Sequence, residues 1–270
     1  MPPGICISKS EAVSNPPPAT TESAATAPAQ PPAPAQRSPA AKTSAEFSRD
    51  KSQALGNTSQ RATKMTAKIY VVIYSLYGHI LAMAKEVKAG IEEAGCECVL
   101  VQCPETLPDE VLIKMHAPPK DDSIPIVDIK DLPKADGILF GIGTRFGMVN
   151  SQMKAVMDAT GSLWKTGALV GKPAGTFFST ASQGGGQETT ALTFVTQLTH
   201  HGMIYVPIGY SSPLLFTNDE VHGGSPYGAG TLSNGDGSRM PSDLEKAVAK
   251  HQGTYFSGVV KALKAGREAS

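Results

Sequence analysis

The feature that most constrains this chain is the run Ile69-Tyr70-Val71-Val72-Ile73-Tyr74, which breaks off into Ser75-Leu76-Tyr77-Gly78-His79-Ile80. β-Branched and aromatic residues without polar alternation predict a strand buried on both faces, and a parallel sheet covered by helices on each side provides that environment. Beyond the break the period changes. Ile80, Met83, Ala84, Val87 and Ile91 recur at helical spacing and put one apolar stripe on a helix of about four turns. A helix that begins there turns its unpaired N–H groups and its positive dipole end on the loop, and the hydroxyls of Ser75 and Tyr77 add donors. The loop therefore predicts an anion site. It carries neither G-x-x-x-x-G-K-[ST] nor G-x-G-x-x-G, so neither a nucleoside triphosphate nor a dinucleotide pyrophosphate is indicated, and a lysine-free loop suits a single terminal phosphate. The hexapeptide alone reads equally as an ordinary strand–turn–helix with a Ser near the N-cap, and the other loops have to decide.

The rest of the chain alternates strands and helices. After Gly95, Cys96–Cys103 predicts a second strand and Asp109–His116 a short helix, followed by a turn-rich excursion over Pro118–Pro125. Gly137–Ile142 predicts a third strand, Gly143–Asn150 a loop, and Ser151 onward a helix through Met153, Val156 and Met157. Pro173–Ser179 predicts a fourth strand, Thr180–Gly186 a loop, and Gln187–His200 a helix. Met203–Pro207 reads as a fifth strand and Ser242–Lys264 as the closing helix. This alternation predicts an α/β fold, a doubly wound five-stranded parallel sheet in the order 2-1-3-4-5 with helices on both faces. Its ligand crevice lies at the carboxyl ends of strands one, three and four.

Each of those strands ends in an unusual loop. Gly143-Thr144-Arg145-Phe146-Gly147 offers two glycines, a cation and an aromatic, a set that suits either a tight turn or stacking on, and hydrogen bonding to, a planar electron-poor ring. Ser179-Thr180-Ala181-Ser182-Gln183-Gly184-Gly185-Gly186 carries three consecutive glycines, whose entropic cost a simple connector avoids. Their expected use is to bring backbone N–H groups against a ligand edge. His200-His201-Gly202 closes the next helix, and two histidines without a third ligand do not argue for a metal. Trp164, the only tryptophan, reads as packing or as a site residue. Ile208–Pro241 has no periodicity, and connections of that length are usually lids, binding loops or subunit contacts.

Residues 1–66 differ in kind. Ten of the 21 prolines lie in the first 40 residues, and Phe47 is the only aromatic before Tyr70, so this segment is expected to be a disordered tail. It has no apolar stretch of signal-peptide length and no myristoylation start, and Cys6 between Ile5 and Ile7 fits a palmitoyl acceptor. The tail takes seven of the 24 Lys/Arg and four of the 24 Asp/Glu, leaving 17 basic against 20 acidic residues over 67–270. That balance offers nothing to nucleic acid, and no run reaches transmembrane length. Cys96, Cys98 and Cys103 are expected to be reduced core thiols of a cytosolic protein, and the remaining roughly 200 residues fit one α/β domain.

Taken together, the stretches Tyr74–Ile80, Pro104–Pro108, Thr144–Gly147, Asp158–Trp164, Gly184–Glu188, His200–Met203, Val206–Tyr210, Gly223–Gly228 and Gly235–Arg239 resemble a known family. It is that of the flavodoxin-like NAD(P)H:quinone oxidoreductases of the tryptophan-repressor-binding-protein type, and the chain looks like a fungal-type member with an N-terminal extension. The resemblance covers nearly all of residues 67–265. Gly143, where the family usually has Pro, and Gln183, an apparent one-residue insertion, depart from it. What it implies is an FMN cofactor, NADH or NADPH as electron donor, quinones as substrates, and a homotetramer. Position by position it implies that Ser75, Leu76, Tyr77, Gly78, His79 and Ile80 hold the phosphate and ribityl chain. Thr144, Arg145 and Phe146 with Ser179, Thr180, Ala181, Ser182, Gln183 and Gly184 would line the isoalloxazine, and Gly147 and Gly185 complete the cofactor set. His200 would sit beside the flavin, Tyr77 near the nicotinamide and Trp164 over the quinone. A cytoplasmic enzyme, peripheral at a membrane through its tail, is one expectation. The other is a flavin-binding scaffold or electron carrier, against which the near-neutral domain weighs, because a carrier steered to its partner is expected to be strongly acidic.

Overall fold

The structure, a computed structural model, describes residues 66–269; residues 1–65 of the expected disordered tail, Cys6 among them, lie outside the described residues. β1 (Lys68–Ile73) is an interior strand, paired in parallel with β2 (Glu97–Gln102) and β3 (Gly137–Arg145), so that Ile69 stands opposite Cys98 on one side and Gly137 on the other. Its period of two divides it between two cores. Tyr70 and Val72 point to one core with Phe140, Met153 and Phe194, to which α3 (Ser151–Asp158) and α5 (Gln187–His200) contribute the last two.

 Ile69, Val71 and Ile73 point to the opposite core, where α1 (His79–Glu93) and α6 (Asp243–Glu268) contribute Met83, Val87 and Phe256. Every β1 residue from Ile69 to Ile73 is buried, and each such apolar side chain stabilises the fold by about 1.5–3 kcal/mol relative to exposure. Phe140 and Phe194 meet edge-to-face with ring centroids 5.1 Å apart. α1 and α6 approach so closely that a Cβ on Gly90 would lie 2.0 Å from the Lys250 carbonyl oxygen, and one on Gly253 2.1 Å from that of Val87. Only glycine fits at either position.

β5 (Pro173–Thr180) lies beside β3, and the sheet runs β2-β1-β3-β5-β6, which by position is the doubly wound 2-1-3-4-5 order. The strand count differs from the five expected, because two short segments share the fifth position and a hairpin adds another strand. β6 (Ile204–Tyr205) pairs only with Pro173 and Ala174. Val206 still donates to the Ala174 carbonyl, but Pro207 has no N–H to give and the ladder stops there. The chain makes an excursion and returns as β7 (Gly230–Leu232), which pairs with Phe178–Thr180 further along β5. The segment read as aperiodic thus supplies a strand too short to show a period.

The loop expected over 143–150 is a hairpin. β3 runs on to Arg145, turns through Phe146 (φ 53) and Gly147 (φ 74), and returns as β4 (Met148–Val149). Two central residues with positive φ are the signature of the type I′ turn that matches strand twist. Phe is an unusual choice for its first position, which hid the turn from the sequence. α2 (Asp109–Lys114) ends two residues before the expected His116, and α4 (Gly161–Thr166), which carries Trp164, had no periodic signal because it has fewer than two turns.

Candidate cofactor site

The carboxyl ends of β1, β3 and β5 surround a cavity of about 540 Å³, within the range of roughly 300–1,000 Å³ usual for small-molecule and cofactor sites. Its first wall is the loop after β1. Ser75, Leu76, Tyr77, His79 and Ile80 line it, and Gly78 makes the turn as the N-cap of α1 with φ 93. Gly78 has no side chain to cap the helix, and Ser75 Oγ reaches only the Leu81 N–H, at 3.2 Å. The N–H groups of Leu76, Tyr77, Gly78, His79 and Ile80 consequently donate to no acceptor among the described residues. Five open donors at the positive end of a helix, with no Lys or Arg in the loop, fit one phosphate.

The loop is braced from outside. The Tyr77 hydroxyl donates to the Met115 carbonyl at 3.1 Å, and His79, which is buried, has Nε2 3.1 Å from the Gly237 carbonyl. Lys120 Nζ donates to the Ser75 carbonyl at 3.1 Å, pairs with Glu105 at 3.1 Å and lies 3.9 Å from the Tyr74 ring centroid. Tyr74 donates its hydroxyl to Glu105 at 2.9 Å. Burial and the Glu105 carboxylate push the Tyr74 phenol well above its ordinary range, so it stays a donor. Partial burial pushes the Glu105 carboxyl up, but the N–H groups of Leu107 and Thr106 together with Tyr74 and Lys120 outweigh it and hold its pKa below the ordinary value.

The second wall is the hairpin. Gly143, Thr144 and Arg145 line the cavity, and Thr144 Oγ1 lies 2.7 Å from Thr190 Oγ1, which ties the hairpin to α5. Arg145 is the one Lys or Arg in the lining, and no carboxylate pairs with it among the described residues. Phe146 stands fully exposed at the tip, and neither it nor Gly147 is in the lining. In the third wall Ser179, Thr180, Ala181 and Gly185 face the cavity, while Gln183 and Gly184 open onto a neighbouring cleft and Ser182 onto neither.

The three glycines have different reasons to be there. A Cβ on Gly185 would lie 2.8 Å from the Ser182 carbonyl oxygen, and one on Gly186 would lie 3.0 Å from Gly147 Cα. Those two glycines seat the loop on itself and on the hairpin, whereas Gly184 has open space around it. Close packing thus requires two of the three glycines, whatever their N–H groups face.

A fourth wall, Ser233–Gly237, went unrecognised in the sequence, as did the lining residues Tyr74, Met115 and Asn150. Its signal was the Gly235-Asp236-Gly237 turn inside the long segment 208–241, where Asn234 (φ 63) and Gly237 (φ 76) both take left-handed backbone. Two expected residues lie away from the cavity of their own chain. His200 is the last residue of α5, whose first turn is at the cavity end, so it stands about 20 Å along the helix axis. Trp164 is exposed on α4. Its neighbour in sequence terms, the helix start at Thr160, is held by His201 rather than His200: His201 Nε2 lies 2.8 Å from Thr160 Oγ1 in a buried pair. Burial, and secondarily His200, lower the His201 pKa.

Cys96 and Cys103 are buried and Cys98 half-buried, all three free, and burial pushes the Cys98 and Cys103 thiols up to about 12. No group of three His, Cys, Asp or Glu is arranged for a metal among the described residues.

Sheet order and cavity together define a flavodoxin-like α/β protein. A solved structure described as a flavodoxin, a WrbA-like protein from Agrobacterium tumefaciens, is 22% identical, covers 73% of this chain and 99% of its own, and superposes with a TM-score of 0.50. Residues 68–213 match the family model for NADPH-dependent FMN reductases, and the chain belongs to that family. Relatives include a quinone-oxidoreductase of Triphysaria versicolor, 58% identical over 202 residues that make up 74% of this chain and 98% of the relative. An NAD(P)H quinone oxidoreductase of Candida albicans is 53% identical over 189 residues, 70% of this chain and 95% of its own length.

Proposed function

We propose that this protein is an FMN-dependent NAD(P)H:quinone oxidoreductase. The observation that carries the reading is the run of five unpaired N–H groups from Leu76 to Ile80 at an uncharged helix start, inside a cavity of cofactor size. Bound FMN supplies two-electron hydride chemistry between NADH or NADPH and a quinone. The chain supplies binding and electrostatics. Ser75, Leu76, Tyr77, Gly78, His79 and Ile80 hold the phosphate and ribityl chain. Of the loops Thr144–Gly147 and Ser179–Gly185, the lining members Thr144, Arg145, Ser179, Thr180, Ala181 and Gly185 would hold the ring, where Arg145 offers an unpaired cation to negative charge that develops during reduction. Tyr77 borders the nicotinamide position.

A homotetramer completes the proposal. Phe146, Met148, Trp164 and Leu192 are exposed apolar side chains of the kind an assembly covers. With Trp164 and His200 outside the lining of their own cavity, the roles proposed for them over the quinone and beside the flavin call for a neighbouring protomer. No helix among the described residues is long and apolar enough to cross a membrane. We place the enzyme in the cytoplasm, with residues 1–66 as a peripheral membrane tether.

The test is to purify the protein, record its visible spectrum, identify the heat-released flavin by chromatography, and measure NADH and NADPH oxidation with a benzoquinone. Stoichiometric FMN and quinone-dependent, ping-pong turnover are expected. A protein saturated with FMN that oxidises neither nicotinamide with any benzoquinone overturns the enzyme reading and leaves the flavin-binding scaffold. Light scattering of the same sample reads the tetramer.

A further inference from the structure

The excursion between β6 and α6 converges on one carboxylate. Glu245 in the first turn of α6 is wholly buried. Its Oε1 accepts from the Gly223 N–H at 2.8 Å and the Leu232 N–H at 3.2 Å. Its Oε2 accepts from the Thr231 hydroxyl at 2.8 Å and the Ser242 N–H at 2.9 Å. Arg239 Nη1 lies 3.0 and 2.9 Å from the two oxygens, and Arg239 also donates to the carbonyls of Leu232 and Val221 at 2.6 and 3.1 Å. Only the Ser242 contact belongs to helix capping. Those of Thr231, Leu232 and Arg239 grip the chain just before Ser233 and just after Gly237, and those of Val221 and Gly223 hold an earlier part of the excursion.

Between those grips stands the fourth wall of the cavity. Ser233 donates its N–H to the Thr180 carbonyl at 2.9 Å and accepts from the Arg239 N–H at 3.1 Å, which closes the base of the loop. The tip meets the start of α1, where His79 Nε2 lies 3.1 Å from the Gly237 carbonyl. That is the end of the cavity with the open N–H groups, and the Gly235 N–H also lacks an acceptor among the described residues. The Asp236 carboxylate is engaged by the N–H and hydroxyl of Ser238 at 3.0 and 2.8 Å. A buried carboxylate is tolerable only when paired and hydrogen-bonded, and one this fully engaged is a fixed point from which a loop can be aimed.

We propose that the Arg239–Glu245 ion pair is a clasp that seats Ser233–Gly237 as a further wall of the cofactor site, at its phosphate end, making both members positioning residues. The inference rests on the FMN reading above. It predicts that breaking the clasp weakens FMN more than riboflavin, which has the same ring and ribityl chain and no phosphate. A role in stability alone would lower melting temperature and leave the ratio of the two affinities unchanged.

The experiment titrates FMN and riboflavin by fluorescence into the apo full-length chain. Wild type is compared with Arg239→Ala, Glu245→Gln and Arg239→Lys, with Gln252→Ala as a control. Gln252 holds the same excursion away from the cavity, accepting from the Ala229 N–H and donating to the Thr176 carbonyl, both at 2.9 Å. Arg239→Ala and Glu245→Gln are expected to weaken FMN about tenfold and riboflavin about twofold or less, and Arg239→Lys to recover part of the FMN loss. Gln252→Ala is expected to lower melting temperature with an unchanged ratio. Should Glu245→Gln fail to fold, the two Arg239 variants carry the same expectation. Clasp variants that keep the wild-type ratio overturn the proposal while the FMN reading stands; a wild-type protein that does not bind FMN overturns both.

Discussion

α1 and α6 pack against each other, yet they begin in opposite ways. α6 starts with a closed capping box, in which Ser242 Oγ accepts from the Glu245 N–H and Glu245 reaches back to the Ser242 N–H. α1 starts at a glycine with φ 93 and leaves its first N–H groups, and those of the loop before it, open. A helix end completed by its own side chains serves the fold. One left incomplete, beside a cavity, is open to an acceptor from outside the chain.

The change that breaks this contrast most severely is Gly78→Val. Nothing stands within 4 Å of a Cβ there, so the cost is backbone strain at φ 93, about 1–3 kcal/mol if the turn is kept and a displaced donor cradle if it is not. FMN affinity should fall by about a hundredfold or more while circular dichroism keeps the signature of the folded protein. Retained affinity in a fluorescence titration would mean that the open donors are not the phosphate site.

Next in size is Glu105→Gln, behind the same loop. Because the folded pKa of Glu105 is depressed, its contribution is present above the unfolded value near 4.5 and is lost as pH falls through the folded value. The wild-type melting temperature should therefore drop as pH falls below about 4.5, and the variant should show a flatter dependence there. At pH 7 the variant should lose about 1–2 kcal/mol, read by thermal unfolding.

Removing the cap at the completed end, Ser242→Ala, should lower stability by about 1 kcal/mol in the apo and FMN-bound states alike. A loss confined to the bound state would show that this helix end, too, is completed by the ligand. The smallest effect is expected at the hairpin tip. Phe146 is a bulky residue at φ 53 with no burial to offset it, so Phe146→Asn should raise apo stability by about 0.5 kcal/mol and reduce FMN affinity or quinone turnover several-fold. An unchanged kcat/KM and FMN affinity would leave that strained aromatic without a functional reason.

Much of the fold was legible because burial writes itself into short stretches. Ile69–Tyr74 reads as a strand covered on both faces, and the helical stripe from Ile80 to Ile91 follows it. The open N–H groups of Leu76–Ile80 were legible for the same local reason, since they are consecutive backbone groups at a helix start. β7 and α4 were not, because three and six residues hold too little period to be read. The Phe146-Gly147 turn was hidden by an aromatic where such turns usually carry Asn or Asp.

By itself, then, the sequence determined the layered α/β architecture, the strand order and the loops that meet at the carboxyl ends of β1, β3 and β5. Tertiary structure alone decided that Ser233–Gly237 closes the cavity, that Lys120 braces Ser75 from 45 positions away, and that His200 and Trp164 lie outside the lining of their own cavity. The physical reason is range. Strand, helix and donor cradle are set by neighbours along the chain, whereas walls, braces and distances between helix ends depend on contacts between segments far apart in sequence, which no local pattern records.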